Sequence, residues 1–278
     1  MTEDQLRPAW SQQFTADAIQ DMSAEGPFAT ITREWAWGGS TGKGIRVAVV
    51  DSGVEFDHPA LGDCVKGGAI VEYDSKAKDN FRIKMDNQPA DVSGHGTACA
   101  SIIHAIAPEA EIYSVRVLGR NMGGRAIQFA AGLDWAIEND MHVVNLSLST
   151  SLEEFFGLFH DLADQAYFKN INLVSAVSNL PESSYPSLFS SVISVAAHEG
   201  PDPFTYYYNP NPPVEFGAPG IDVEMAWNKK QYITATGNSF AAPHMAGITA
   251  LIRAKHPALT PFQLKSVLLA CATNIKKE

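Results

Sequence analysis

The chain has 278 residues, 45% of them hydrophobic and 18% charged, and a net charge of −11. That size and apolar share suit one large folded domain rather than a disordered chain, and the acidic balance argues against nonspecific nucleic-acid binding, which needs basic patches. No apolar run is long enough to cross a membrane, no window resembles a signal peptide, and Cys64, Cys99 and Cys271 are too few and too scattered for a disulfide framework or a zinc site, so a cytoplasmic setting is the simplest expectation, with a secreted precursor trimmed ahead of this numbering as the alternative.

Residues 1–28 are polar with little periodicity and are expected to form a flexible N-terminal extension ahead of a domain over 29–278. From Ile45 onward strand-like and helical runs alternate. Strands are predicted over Ile45–Val50, Glu111–Val117, His142–Leu148, Asn172–Val177 and Ser191–Ala196. Helices are predicted over His95–Ala105, Arg125–Glu138, Leu152–Phe168, Phe240–Lys255 and Pro261–Ala272, the last capped by Thr260. This alternation implies an α/β fold with three layers, a mostly parallel central sheet with helices on both faces. Between the first strand and first helix, Lys66–Pro89 reads as a hairpin or surface excursion whose basic residues form a solvated face. The proline-rich stretch Pro201–Pro213 reads as a loop, with Tyr206, Tyr207 and Tyr208 packing over the sheet edge.

Three short blocks carry residue types with chemical potential. Asp51 ends the apolar run Arg46–Val50 and precedes Gly53. In open α/β sheets, sites form at the carboxyl ends of strands, although an aspartate there equally suits a turn. His95 stands between Gly94 and Gly96 at a helix start. An imidazole titrating near neutrality is a natural base, and a carboxylate would fix its tautomer; the glycines are expected to keep side chains clear of the ring. A structural histidine fits the same position. Ser239 lies where a small-residue turn enters the apolar stretch Phe240–Gly247. Unsatisfied amides at a helix start favour a developing oxyanion, yet serine is also a favoured N-cap. Pro243 is expected to be tolerated as part of the first turn.

Taken together, Asp51-Ser52-Gly53, His95-Gly96-Thr97 and Ser239-x-Ala241-x-Pro243-His244-x-Ala246-Gly247, in that order, resemble the subtilisin-like serine proteases, or subtilases, from about Trp35 to about Thr273. The resemblance implies a serine endopeptidase with Asp51, His95 and Ser239 as its triad and a peptide or protein as its substrate. It implies that Asn179, after an apolar strand, donates to the oxyanion alongside the Ser239 amide. It also implies that Leu118 and Gly119 on one side, with Ser147, Leu148 and Ser149 on the other, hold an extended peptide by strand addition.

Departures from the family pattern gather near the oxyanion site, where Ser178 replaces the usual glycine and Asn238 the usual threonine; Ser149 also stands at a usual glycine position. Glu182 fits either a basic substrate side chain or a solvated loop. Cys99, one turn after His95, is expected as a buried free thiol. The calcium-wrapping insertion of many relatives is missing between the His95 helix and Pro108, and Ala60 stands where a ligating aspartate often occurs. No metal at that site and no cofactor are therefore expected. The sequence ends soon after the Pro261–Ala272 helix, as in a compact variant lacking the family's C-terminal strand and helix or a domain cut from a longer polypeptide. Processing of a dedicated precursor or leader peptide is one expected role. The alternatives are a catalytically weak or silent peptide-binding module, and a peptide ligase or macrocyclase using the same triad. Oligomeric state stays open.

Overall fold

Short runs of Val, Ile and Ala form the centre of the molecule because both faces of their sheet are covered. The computed structural model describes residues 7–24 and 26–277. Its strands are β1 Met22–Ser23, β2 Arg46–Asp51, β3 Val65–Tyr73, β4 Phe81–Asp86, β5 Glu111–Arg116, β6 Val143–Leu146 and β7 Asn172–Ala176. They continue with β8 Ile193–Glu199, β9 Tyr207–Tyr208, β10 Phe216–Ile221, β11 Val223–Trp227, β12 Gln231–Ala235 and β13 Ile275–Lys276. The helices are α1 Arg33–Trp37, α2 His95–Ile106, α3 Ala126–Glu138, α4 Phe156–Phe168, α5 Asn238–Lys255 and α6 Pro261–Cys271.

Nine strands form the central sheet in the order β4-β3-β5-β2-β6-β7-β8-β10-β9. Pairing is parallel throughout except at the flanks, where β4 and β9 run antiparallel to their neighbours. Along β2, Val47 and Val49 face the layer of α2, α5 and α6, whereas Ala48 and Val50 face that of α3 and α4. This alternation is the period-two geometry of a strand buried on both sides. The chain lays β3 and β5 on one side of β2 and then crosses to β6, β7 and β8 on the other. The carboxyl ends of β2 and β6 therefore flank the point where the winding reverses, which is where open α/β sheets place their ligands.

Four regions depart from or refine the sequence expectations. The predicted helix over Leu152–Phe168 is a 3-10 turn, Glu153–Phe155, followed by α4. The 66–89 stretch contains the β3–β4 hairpin, with Lys84 paired to Glu72 at 2.6 Å and Arg82 paired to Asp74. Tyr206 is fully buried, and its hydroxyl donates to the Leu268 carbonyl at 2.7 Å, while Tyr207 and Tyr208 form the edge strand β9. Strands β9 to β12 were not predicted; in β10, Gly217, Pro219 and Gly220 interrupt any apolar alternation. Those small residues answer to packing: a Cβ on Gly217 would lie 2.3 Å from the Phe14 ring.

Phe14 belongs to the extension expected as a flexible tail. Residues 7–24 instead lie on the domain, because Phe14 fills the space beside Gly217, Val177 and Val214. Asn209 Nδ2 donates to Gln13 Oε1 at 2.7 Å, and Met22 pairs with Ile275 in the parallel β1–β13 ladder. Residues 1–6 and 25 of that extension lie outside the described residues.

Inside α5, His244 is buried and its Nδ1–H donates to the Phe240 carbonyl at 2.8 Å. Burial pushes its pKa down from 6.5 to about 4. An unfolded chain therefore binds this proton over a range where the native chain does not, so the native state loses ground as the pH falls from about 6.5 towards 4. Urea unfolding should show stability lost through that window, with His244 contributing up to about 3 kcal/mol, and His244→Asn should flatten the profile. An unchanged slope in the variant would assign the acid sensitivity elsewhere.

Candidate active site

Asp51 closes β2 with no solvent exposure. Its Oδ1 accepts the Ser52 N–H at 2.7 Å, and both carboxylate oxygens lie 2.9 Å from His95 Nδ1. An ionised carboxylate only accepts, so Nδ1 carries the proton and Nε2 is left as the basic nitrogen. The main chain of Asp51 is fixed as well, since Val117 and Leu118 donate their N–H groups to its carbonyl at 2.8 and 3.2 Å. Burial is the largest single influence on the His95 imidazole and pulls it down, but the charge and hydrogen bond of Asp51, with those of Cys99, together outweigh it and hold the ring well above its ordinary value. Cys99 sits behind the pair, its Sγ 3.9 Å from Asp51 Oδ2 and 3.3 Å from Ser147 Oγ. Burial raises its pKa, which keeps it a thiol and a weak donor.

His95 opens α2, and the loop before it is organised by a second carboxylate, Asp91. Its Oδ1 accepts from Ser52 Oγ at 2.8 Å and from the Ser93 and Gly94 N–H groups at 2.9 and 2.7 Å. Its Oδ2 accepts the Thr97 N–H and hydroxyl at 2.8 and 2.7 Å. This network ties the histidine loop to Ser52, the residue after Asp51. Sequence reasoning passed over it, although an aspartate two residues before serine is the signature of an Asx turn. The glycines flanking His95 also answer to packing. A Cβ on Gly94 would sit 2.3 Å from the Trp227 ring, and one on Gly96 would sit 2.0 Å from the Gly53 carbonyl oxygen.

Helix α5 starts after Gly237, so Ser239 occupies its second position rather than the cap. Pro243 is the sixth residue of α5, beyond the first turn where it was expected to sit. Its missing N–H would otherwise have bonded the Ser239 carbonyl. Ser147 Oγ donates to that carbonyl instead, at 2.7 Å, and in turn accepts from Asn145 Nδ2 at 3.0 Å. Ser147, which the sequence suggested as a substrate contact, thus lines the cleft and also fastens the Ser239 main chain. Cys99 Sγ lies 4.0 Å from His95 Nδ1 and 3.6 Å from the Ser239 carbonyl, and the Phe240 ring lies 5.3 Å from the imidazole. These contacts set the backbone of Ser239 beside His95. Among the described residues, the Ser239 hydroxyl itself makes no hydrogen bond. Catalytic hydrogen bonds of this kind often tighten only once substrate is bound.

Asn179 follows β7 and is exposed. Its Oδ1 accepts the Asn238 N–H at 2.9 Å. That bond orients the amide, leaving Nδ2 as the donor at the cleft that Ser239 also lines. The Asn238 side chain points inward: Oδ1 accepts the Ala197 N–H at 2.8 Å, and Nδ2 is within reach of the Ser178, Ala9 and Val177 carbonyls at 3.0, 3.2 and 3.3 Å. Ser178 Oγ donates to Glu182 at 3.3 Å, and Glu182 does not line the cleft.

The cleft encloses about 400 Å³, and Leu118, Leu148, Ser149, Asn179 and Ser239 line it. Gly119 does not; its N–H donates to the Gly123 carbonyl at 2.9 Å and it borders a neighbouring depression. Among the described residues, the main chains of Leu148 and Ser149 form no hydrogen bond to other main chain outside helices and strands. Among the described residues, Asp51, His95 and Cys99 are the one group of three or more His, Cys, Asp and Glu with ligand atoms within 4.8 Å of one another. Among the described residues, no helix is long and apolar enough to cross a membrane.

The chain is 36% identical to the minor extracellular protease Epr of Bacillus subtilis strain 168, over 90% of this chain and 38% of that protein. It is 34% identical to a thermostable alkaline protease of Halalkalibacterium halodurans, over 84% of this chain and 64% of that protein. The chain thus spans less than two thirds of the length of these two relatives. A crystal structure of a cold adapted subtilisin-like serine proteinase superposes with a TM-score of 0.69 at 26% identity, covering 86% of each chain. The subtilase sequence pattern matches residues 42–278, and with these likenesses it establishes that the chain belongs to the subtilase family.

Proposed function

We propose that this protein is a serine endopeptidase working through Ser239. The observation that carries the reading is the grip of both Asp51 oxygens on His95 Nδ1, which leaves Nε2 basic beside the start of α5. The Ser239 oxygen attacks the peptide carbonyl while His95 Nε2 takes the hydroxyl proton. The tetrahedral oxyanion is held by Asn179 Nδ2 and the Ser239 N–H, which has no acceptor within its own helix at that position. Collapse breaks the C–N bond, and His95 passes its proton to the departing amine. Water then repeats the sequence on the acyl-enzyme. The unpaired main chain of Leu148 and Ser149 supports binding of the substrate as an added strand.

Ser239→Ala should abolish labelling by a fluorophosphonate probe with the fold retained, and Asn179→Ala should lower kcat by about 10²–10³. Equal labelling of wild type and Ser239→Ala would remove Ser239 from the nucleophile role.

Because activity needs the neutral imidazole and Asp51 holds the His95 pKa above 6.5, kcat/KM should rise with pH along a limb centred above that value. Asp51→Asn should move the limb to lower pH and cut kcat by about 10⁴. A limb at or below the ordinary histidine value would contradict this electrostatic assignment.

The substrate we favour is a dedicated precursor or leader peptide. Mass-spectrometric mapping of a proteome-derived peptide library should give a narrow set of cleavage sites. Broad digestion would overturn that role while leaving the peptidase chemistry in place.

A further inference from the structure

The described N-terminal residues make main-chain contact with the residues that build the oxyanion site. Ala9 donates its N–H to the Asn179 carbonyl at 2.9 Å, and its own carbonyl lies 3.2 Å from Asn238 Nδ2. Asn238 in turn donates its main-chain N–H to Asn179 Oδ1 at 2.9 Å. Ala9, Asn238 and Asn179 therefore close a ring of three hydrogen bonds, one of which sets the direction of the Asn179 amide. Ala9 is buried, and the segment is anchored on both sides of it. Arg7 pairs with Glu199 at 3.2 Å, and Phe14 is buried beside Gly217 and Val177.

The segment's own conformation does not favour this path. Trp10 is held at φ 72°, a left-handed geometry that costs a bulky residue. The Trp10 indole N–H and the Ser11 hydroxyl are buried without partners. What holds the segment in place is its contacts with the domain, and the contacts of Ala9 are with the oxyanion loop and the start of α5.

We propose that Pro8–Phe14 is a positioning segment for the oxyanion hole, with the Ala9 main chain locking Asn179 and with Asn238 as the link between them. The proposal rests on the peptidase reading for its kinetic consequence but not for its structural one. Neither Ala9 nor Asn238 needs to touch substrate. Their effect is to keep the Asn179 amide aimed at a position that fills only in the transition state, so loosening the segment should act on kcat more than on KM.

The test uses the full chain. Ala9→Pro deletes the N–H given to Asn179, Ala9→Gly keeps it, and Phe14→Ala unseats the segment without altering Ala9, Asn179 or Asn238. Gln12→Ala changes an exposed side chain of the same segment as a control. We expect Ala9→Pro and Phe14→Ala to lower kcat by about tenfold with KM within about twofold, Ala9→Gly to retain activity, and Gln12→Ala to match wild type. Amide hydrogen exchange over residues 177–180 and 237–240 should quicken in the two damaging variants. If Ala9→Pro fails to fold, Phe14→Ala decides the question. Faster exchange in the segment with kcat unchanged, or unchanged exchange over 177–180, would overturn the proposal. A wild-type protein that neither cleaves peptides nor reacts with a fluorophosphonate would instead overturn the peptidase reading, while the exchange data would still report whether the segment holds the loop.

Discussion

A carboxylate with no exposure to water is the most demanding group in this molecule, and much of the structure around the site accommodates it. Asp51 must be met by donors on every side or its burial would be strongly unfavourable. The Ser52 amide and the His95 ring supply them, with the Cys99 thiol as a weak donor behind. Holding the ring there requires the loop before α2 to follow one path, which Asp91 enforces through five acceptor contacts. The close approach of Gly96 to the Gly53 carbonyl oxygen fixes how near α2 comes to the end of β2. The placement of the His95 ring is thus a product of packing as much as of pairing.

A complementary logic governs the start of α5, where Ser239 lies. A proline placed within a helix usually weakens it. Here it frees one carbonyl at a chosen residue, and Ser147 takes that carbonyl. The start of α5 is thereby fastened to the end of β6, the strand beside β2 at the reversal of the sheet winding. Two segments far apart in sequence, the histidine loop and the start of α5, are held close because each is tied to a neighbouring strand of the same sheet.

The central parallel strands and the larger helices were legible from the sequence, since their apolar runs and caps are local signals. Three short blocks in order made Asp51, His95 and Ser239 candidates, and the structure joins Asp51 to His95 at the end of β2 with the Ser239 main chain near Cys99. Other parts left no local trace. Gly217 and Gly220 are small because of Phe14 and Ala197, residues remote in sequence, so β10 did not read as a strand. Pro243 reads as a helix-start residue until its partner carbonyl and Ser147 are seen together. The extension read as a tail because polarity hides one decisive contact, the Phe14 ring in a glycine-made hollow. Asn238 looked like a disturbance at the oxyanion site, yet its amide is engaged beneath it.

The flanks of the sheet carry a consequence for life at high concentration. A bare outer strand can recruit another polypeptide and seed aggregates. On one side that invitation is blunted by Arg82 and Lys84 on β4; on the other, β9 spans only Tyr207–Tyr208, too short to serve as a template. Neither border of the central sheet therefore offers a neighbour a long, uncharged ladder to zip onto.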